Sequence, residues 1–471
     1  MSIHNIKTGV PETLTKATLF LLSLLVLTLS NPATGVAEKY NTKKLTLEEC
    51  VRIALQNSSS GIKAERALKL TGSDVLRNYG KFLPRLTASA SYSPYARDRG
   101  YSPIEETYRT TKTESTALSL TATLNLFNGL SDYASLKAAL NDRQSARYTL
   151  SRAYETIAYD ITQSYYQALL EGELMLIARE DLRSSRDQLK LTERQFEVGL
   201  KSMTDLYQQQ AETASRELLL IQAESRSRRS TLELLRRLQI DPQTDIGLAE
   251  PTALTADLPV SSADSLTAKA LRSRRDLKGR ERNARAAKWK VTSARGARLP
   301  SLDASFTIGT DAIRYPGGNS LPYSTPTTLN QLEDSGSSSV QLSLNWSIFD
   351  GFQTSYAVQA AKISHLNSMQ DYDDLQRTIQ IDIQQQLGDY NSARTEIITA
   401  NATLKAAEAA WNAVKRKYEL GAAGFIDLSA ARSTLFDARS SLTRAKYNLA
   451  LQKNILDYTT GSMLLPSTPQ D

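Results

Sequence analysis

Residues able to do chemistry are few and widely spaced in this chain of 471 residues. Beyond position 37 there is one cysteine, Cys50, and one histidine, His365. No glycine-rich phosphate loop, no clustered metal ligands and no nucleophile–base pairing can be read from the spacing. His365 falls on a long helical pattern as a surface or seam residue, and no metal site is expected. Cys50, in LTLEEC, lacks the small-residue context of a lipid-modified cysteine and reads as a helix residue; alone, it can form no disulfide within the chain. An enzyme is not expected, and no cofactor is called for. What does recur is a pair of aspartates at matching places, Asp205 in FEVGLKSMTDL and Asp427 in YELGAAGFIDL. In each, a glycine (Gly199, Gly421) closes one helix and the aspartate enters the first turn of the next. A carboxylate there caps free backbone N–H groups and complements the helix dipole.

The elements that carry these turns repeat. Ala54-Leu55 is matched by Ala270-Leu271, and Phe82-Leu-Pro84-Arg-Leu86 by Arg298-Leu-Pro300-Ser-Leu302, at an offset of 216. Asn128-Gly129 is matched by Asp350-Gly351, and the two glycine turns by each other, at an offset of 222. The six additional residues therefore fall in a loop of the second copy, about 310–339. Each copy holds two stretches that alternate apolar with Ser, Thr, Asn or Gln, the period of a strand with one apolar and one polar face. The clearest are Leu118–Gly129 (LSLTATLNLFNG) and Val340–Gly351 (VQLSLNWSIFDG). They predict hairpins over 84–127 and 300–349, with a long loop at 93–114. Asn128 and Asp350 are placed to cap the helix that follows, with Gly129 and Gly351 easing the turn.

From Gly129 to Val198 there is no proline. Apolar residues at spacings of three and four predict one helix of about 105 Å. Its counterpart runs from Gly351 to Leu420. Shorter helices are predicted before each hairpin (from Leu45 to about Phe82 in the first copy) and after each glycine turn. In the last one, Leu428, Ala431, Leu435, Ala438, Leu442, Ala445 and Leu449 set a seven-residue repeat, the mark of a left-handed coiled coil. One short helix of each kind laid end to end spans one long helix, which suggests a cylinder wall of continuous and stacked helices.

Composition agrees: 41% hydrophobic residues is low for large globular cores and fits long solvated helices. The formal charge of +7 is spread along the chain. Its densest basic run, 271–290, reads as a solvated helix face instead of a nucleic-acid patch, so no nucleic-acid partner is expected. Residues 1–37 carry a basic start, an apolar run over 17–30 and small residues before a cleavage point after Ala37, as a signal peptide does. The plan is then a first repeat at 38–240, a linker at 241–262 with three prolines, a second repeat at 263–461, and a tail at 462–471.

Four strands among helices of about 100 Å have no second sheet to pack against, so an apolar outer and polar inner face suits a membrane barrel better than a soluble sandwich. Phe127, Trp346 and Phe349 would sit near one membrane interface, Tyr92 and Tyr95 near the other. Four strands cannot close a barrel, and an open edge is not tolerated in lipid, so the chain must oligomerise.

From about Leu45 to Gly461 the duplicated layout, the LFNG and IFDG junctions and the two glycine turns resemble the outer-membrane efflux proteins of the TolC type. The resemblance implies a mainly α fold with membrane β: a homotrimeric 12-stranded β-barrel in the outer membrane continued by a long α-helical barrel through the periplasm. It implies a passive exit channel of a tripartite efflux pump or type I secretion system, working with a periplasmic adaptor protein and an inner-membrane transporter. It further implies that the glycine turns form the periplasmic tip. There Thr204, Asp205, Tyr418 and Asp427 match positions that make constricting contacts or an acidic ring. Ala423 stands where TolC itself has a gate arginine, and Ala430 where it has a second ring aspartate. Capping alone would equally account for Asp205 and Asp427. A trimeric surface adhesin, or a structural coiled coil with a small barrel, is the alternative; hairpins flanked by helices on both sides favour the conduit.

Overall fold

The computed structural model describes residues 44–102, 106–250, 262–316 and 326–463. The expected signal peptide, residues 251–261 of the expected linker and the tail from 464 lie outside the described residues. Among the described residues, 45–243 and 248–463 form one body; Lys44 and Thr244–Gly247 belong to a small second unit, where Gly247 lies against Lys44.

Helices α1 (Leu47–Asn57) and α2 (Ser59–Gly80) lead into strands β1 (Arg85–Ser102) and β2 (Thr107–Asn128). Then come the 67-residue α3 (Ser131–Glu197) and α4 (Met203–Leu238). The second copy follows with α5 (Ala263–Ser273), α6 (Arg275–Gly296), β3 (Ser301–Arg314), a short α7 (Thr328–Asp334) and β4 (Gly336–Asn345). It ends with α8 (Gln353–Glu419), also 67 residues, and α9 (Phe425–Thr459).

The single helix expected over 45–82 is two. Ser58 breaks it with extended backbone (φ −61°, ψ 123°), and Arg274 breaks the second copy at the matching position (φ −59°, ψ 122°). Local chemistry and packing both act here. Ser58 sits in a serine run whose hydroxyls compete with the helix for hydrogen bonds. The second break is held by the end of α9: Ser273 Oγ donates to the Thr460 carbonyl at 2.6 Å.

The sheet order is β1-β2-β3-β4, all antiparallel, so β2 and β3 join the two hairpins and β1 and β4 are its edges. The loop expected at 93–114 is mostly strand: the pairing continues past a register shift at Ser93/Ala96 to Ser102↔Thr107. Polarity there reflects strand extending past the apolar band. In the second loop, α7 and the start of β4 occupy part of 310–339. β4 itself stops at Asn345, short of the expected Ile348, and among the described residues none forms a ladder with 346–350.

Register aligns the faces. Leu86↔Ala122, Ala122↔Phe306 and Phe306↔Val340 make one apolar row, and Ala88↔Leu120 with Leu120↔Ile308 the next. On the other face Ser89 and Ser119 hydroxyls lie 2.7 Å apart, Thr121 and Thr307 3.1 Å apart, and Asn125 donates to Asp303 at 2.8 Å. The apolar residues are exposed, Val340 at 75%, Leu344 at 69% and Leu86 at 68%. From Leu118 to Leu126 the band runs about 30 Å along the strand, or roughly 20 Å of membrane at a 45° tilt.

The strand-to-helix junctions are alike. Asn128 Oδ1 accepts from the Asp132 N–H at 3.3 Å and Asp350 Oδ2 from the Thr354 N–H at 2.8 Å, each bonding a first-turn N–H from two residues before the N-cap positions, which are Leu130 and Phe352 and not Asn128 and Asp350. Each is followed by two left-handed residues, Gly129-Leu130 (φ 66° and 64°) and Gly351-Phe352 (φ 63° and 67°). This conformation costs Leu130 and Phe352 about 1–2 kcal/mol each.

In the half nearer the sheet α2, α3, α6 and α8 lie side by side; in the far half the order is α4, α3, α9, α8. At mid-length Ala270, Leu277, Ile379 and Ile383 form a core. Nearby, Tyr165 Oη donates to the Leu45 and Ala249 carbonyls, beside a Leu45↔Leu248 bridge. On α9 the expected stripe is real: Leu435, Ala438, Leu442 and Ala445 pack on Ala400 and Ala407 of α8. A second buried stripe, including Arg432 and Tyr447, turns to α3.

Candidate functional site

The turns linking α3 to α4 and α8 to α9 lie one long helix, about 100 Å, from the sheet. Both end in the same way. The N–H of Leu200 donates to the Gln195 carbonyl and that of Ala422 to the Lys417 carbonyl, each at 2.8 Å, while Gly199 and Gly421 hold φ at 80° and 76°. This six-to-one closure needs a left-handed residue, which glycine supplies without a Cβ clash.

The next helices start on the predicted aspartates. Asp205 N–H donates to Ser202 Oγ at 3.1 Å, and Asp205 Oδ2 accepts from the Ser202 backbone at 3.1 Å and its hydroxyl at 2.8 Å. That hydroxyl, with the backbone bond and Lys201, holds the Asp205 carboxyl below the usual aspartate range. Asp427 Oδ2 accepts from the Gly424 N–H at 3.2 Å. Asp427 and Thr204 are exposed. Tyr418 behaves differently: its ring is buried at 3% exposure with Lys201 Nζ 3.9 Å from the ring centre, and its hydroxyl has no hydrogen-bond partner. The structure thus joins Tyr418 to the other turn through Lys201, and within one chain it makes no hydrogen bond from Tyr418 to Asp205.

Sequence reasoning missed a second tie farther up. Asp181 of α3 accepts from Arg432 Nε of α9 at 2.9 Å, and its backbone carbonyl from Arg432 Nη2 at 2.7 Å. Arg216 of α4 lies 3.4 Å from the same carboxylate and 2.6 Å from Glu212. Arg216 and Arg432 are buried, so each guanidinium depends on these acids. The only hint in the sequence is an arginine flanking the apolar seam of α9; its partner is 251 residues away. Beside the cluster a groove of about 690 Å³ opens between α3 and the α8–α9 pair, edged by Glu180, Trp411, Lys415 and Phe436.

A third cluster sits at the helix breaks. Glu155 pairs with Arg152 at 2.9 Å and Arg275 at 3.0 Å, and Asp276 with Arg274 at 2.7 Å. The Arg152 guanidinium stacks 3.8 Å from the Tyr458 ring. Burial pushes the Asp276 carboxyl up, but the Arg274 hydrogen bond and charge outweigh it and leave it below the usual range.

The model for the family described as "Outer membrane efflux protein" matches residues 51–238 and 266–462, once in each repeat. Vibrio cholerae TolC is 21% identical over 436 residues, covering 92% of this chain and 91% of that protein. The Pseudomonas aeruginosa alkaline protease secretion protein AprF is 26% identical over 389 residues, covering 78% and 74%. Among solved structures, the Campylobacter jejuni CmeC outer membrane channel superposes with a TM-score of 0.76 at 18% identity, covering 88% of this chain and 85% of that one. With both repeats matched and the same architecture found in a solved channel, this chain belongs to the outer membrane efflux protein family and is a protein of the outer membrane.

Proposed function

We propose that three copies of this chain close into one conduit, the exit channel of a tripartite efflux pump or type I secretion system. The observation that carries this reading is the four-stranded sheet: apolar on one face, polar on the other, unpaired at both edges, and set on a wall of helices about 100 Å long. Three such sheets give twelve strands with the Ser, Thr and Asn ladders inside. Transport is passive, and the free energy comes from an inner-membrane transporter reached through a periplasmic adaptor. Relatives named for protease secretion and for pyoverdine export support a conduit that does not itself choose the cargo.

The turns form the periplasmic entrance. Three copies of Asp427 make an acidic ring, while Thr204, Asp205 and Tyr418 lie at the constriction. Asp205 both caps its helix and contributes to the constriction, and Tyr418, buried within its own chain under Lys201, braces the two turns against each other there. Since Ala423 and Ala430 cannot tie the tip by charge, the Asp181–Arg432 pair takes over the link between the two helical hairpins. A close ring of carboxylates favours cations. In planar bilayers Asp427→Ala is expected to lower cation selectivity and divalent-cation block; selectivity and block both unchanged would rule out the ring.

A further inference from the structure

The duplication carries information about the neighbouring copy. Within the chain Gly129, at the β2–α3 junction, lies back to back with Gly296, the last residue of α6. A Cβ on Gly296 would stand 2.8 Å from the Gly129 carbonyl oxygen and 3.0 Å from Ser131 Cβ, and one on Gly129 would strike the Gly296 backbone. By the repeat offsets their counterparts are Gly351 and Gly80, since 129 + 222 = 351 and 296 − 216 = 80. Both of these glycines have open space around them.

Their backbones are nevertheless formed for the same contact. Gly351 and Phe352 repeat the left-handed pair of Gly129 and Leu130. After Gly80, Leu83 N–H donates to the Gly80 carbonyl at 3.1 Å, as Leu299 does to Gly296 at 2.9 Å. We propose that Gly351 of one protomer packs back to back against Gly80 of the next, repeating the Gly129–Gly296 contact at each subunit boundary.

Two independent observations mark the same boundary. The equally long α3 and α8 differ in burial, with 21 buried residues in α3 and 8 in α8. The flank of α8 left open includes Tyr356, Ile363, Ser364 and Asn367, and the last two are the counterparts of Asp142 and Ser145, which meet Lys290 and Gly279 of α6 in the first copy. In the sheet, β2 continues to Asn128 because β3 pairs with its last residues, whereas the matching residues 346–350 have no partner strand among the described residues and are not strand. The same offsets convert Leu120↔Ile308 into Leu342 facing Tyr92 of the next copy, and Ala122↔Phe306 into Leu344 facing Ala90 of the next copy. One neighbour, a second copy of this chain placed by the internal repeat, satisfies the strand edge, the helix flank and the glycine.

The inference rests on the trimer reading, and its test separates the two. Ser131 and Ser293 hydroxyls, 2.9 Å apart, have Gln353 and Arg77 as counterparts across the boundary. Hydroxyls at that distance hold the two Cβ atoms within about 6 Å, so cysteines there need only a small adjustment to form a disulfide. The full-length double variant Arg77→Cys with Gln353→Cys, in the Cys50→Ser background, is purified in detergent, weighed by native mass spectrometry and oxidised. The expected result is a three-chain mass and a covalent three-chain ring on denaturing gels, with each single variant running as one chain. A three-chain mass without cross-links overturns the contact and leaves the trimer standing. A mass other than three chains overturns both. Gly80→Ala adds an independent reading. Alanine favours the helix and meets nothing in the lone chain, yet would meet Gly351 in the trimer, so the dissociation temperature of the trimer should fall. A rise would refute the contact.

Discussion

Asp181→Ala is the perturbation whose size the structure sets best. Arg432 is 5% exposed and its guanidinium has Asp181 as its acid, through the carboxylate at 2.9 Å and the backbone carbonyl at 2.7 Å. Arg216 keeps Glu212 at 2.6 Å when Asp181 is lost, so Arg432 is the charge left stranded. Removing one member of a buried pair costs about 3–5 kcal/mol, much of it the penalty for the unpaired charge. At about 1.4 kcal/mol per tenfold, opening of the α3–α9 contact becomes a hundredfold or more easier. Amide hydrogen exchange on the purified protein in detergent reads this directly. Protection in residues 428–440 and 178–186 should fall by about that factor, while the mid-length core around Ile379 and Ile383 stays protected. Replacing both ends, Asp181→Leu with Arg432→Met, removes the stranded charge and should restore most of the protection. Unchanged exchange in Asp181→Ala, or a double variant as loose as the single one, would refute the reasoning. In bilayers the single variant should open more often, since α9 is then freed from α3 near the entrance.

Other consequences are more local. In the α3–α4 contact Ser185, Gln209 and Thr213 form a buried polar layer, with Ser185 and Thr213 hydroxyls 3.1 Å apart, where the second copy has Ala407, Ala431 and Leu435. Copying those residues over, as S185A, Q209A and T213L together, should raise the melting temperature, because apolar replacement of all partners removes desolvation cost without orphaning a group; a fall would show that the layer is stabilising. Burial pushes the Cys50 thiol up to about 12, so the folded protein should resist iodoacetamide at pH 8 and react once unfolded in urea. Prompt labelling of the folded protein would contradict this. The Asp276 carboxyl lies below its ordinary value, so its contribution is present above about pH 4 and lost as pH falls through the folded value. Thermal melting of Asp276→Asn should therefore depend less on pH below 4 than that of the parent, and equal slopes would remove Asp276 from the balance.

Much of this fold was legible because the sequence states it twice. A period of two in LSLTATLNLFNG and its counterpart, a proline-free run of 70 residues, and glycines at matching offsets led to strands, long helices and turns in the right order. Its failures have physical causes. The breaks at Ser58 and Arg274 depend on contacts with α9 and on serine hydroxyls, which a helical period does not register. Strand length was underestimated because residues 96–102 and 107–113 lie past the apolar band and lose the alternation that marks a strand in lipid. β4 stops at Asn345, where its pairing with β3 ends at Ser301, and alternation alone does not register where a partner strand ends. At the tip, Asp205 and Asp427 were readable as caps from their distance to Gly199 and Gly421. The Lys201–Tyr418 stack and the Asp181–Arg432 pair join residues more than 200 positions apart, with no local signature.

Single-channel recording on the purified protein, with its mass measured in the same preparation, tests the central claim most directly. The account predicts a complex of three chains that conducts ions across a planar bilayer and opens more often when Asp181 is replaced by alanine. A three-chain complex that never conducts, even with Asp181 and Asp427 both replaced, would contradict the conduit.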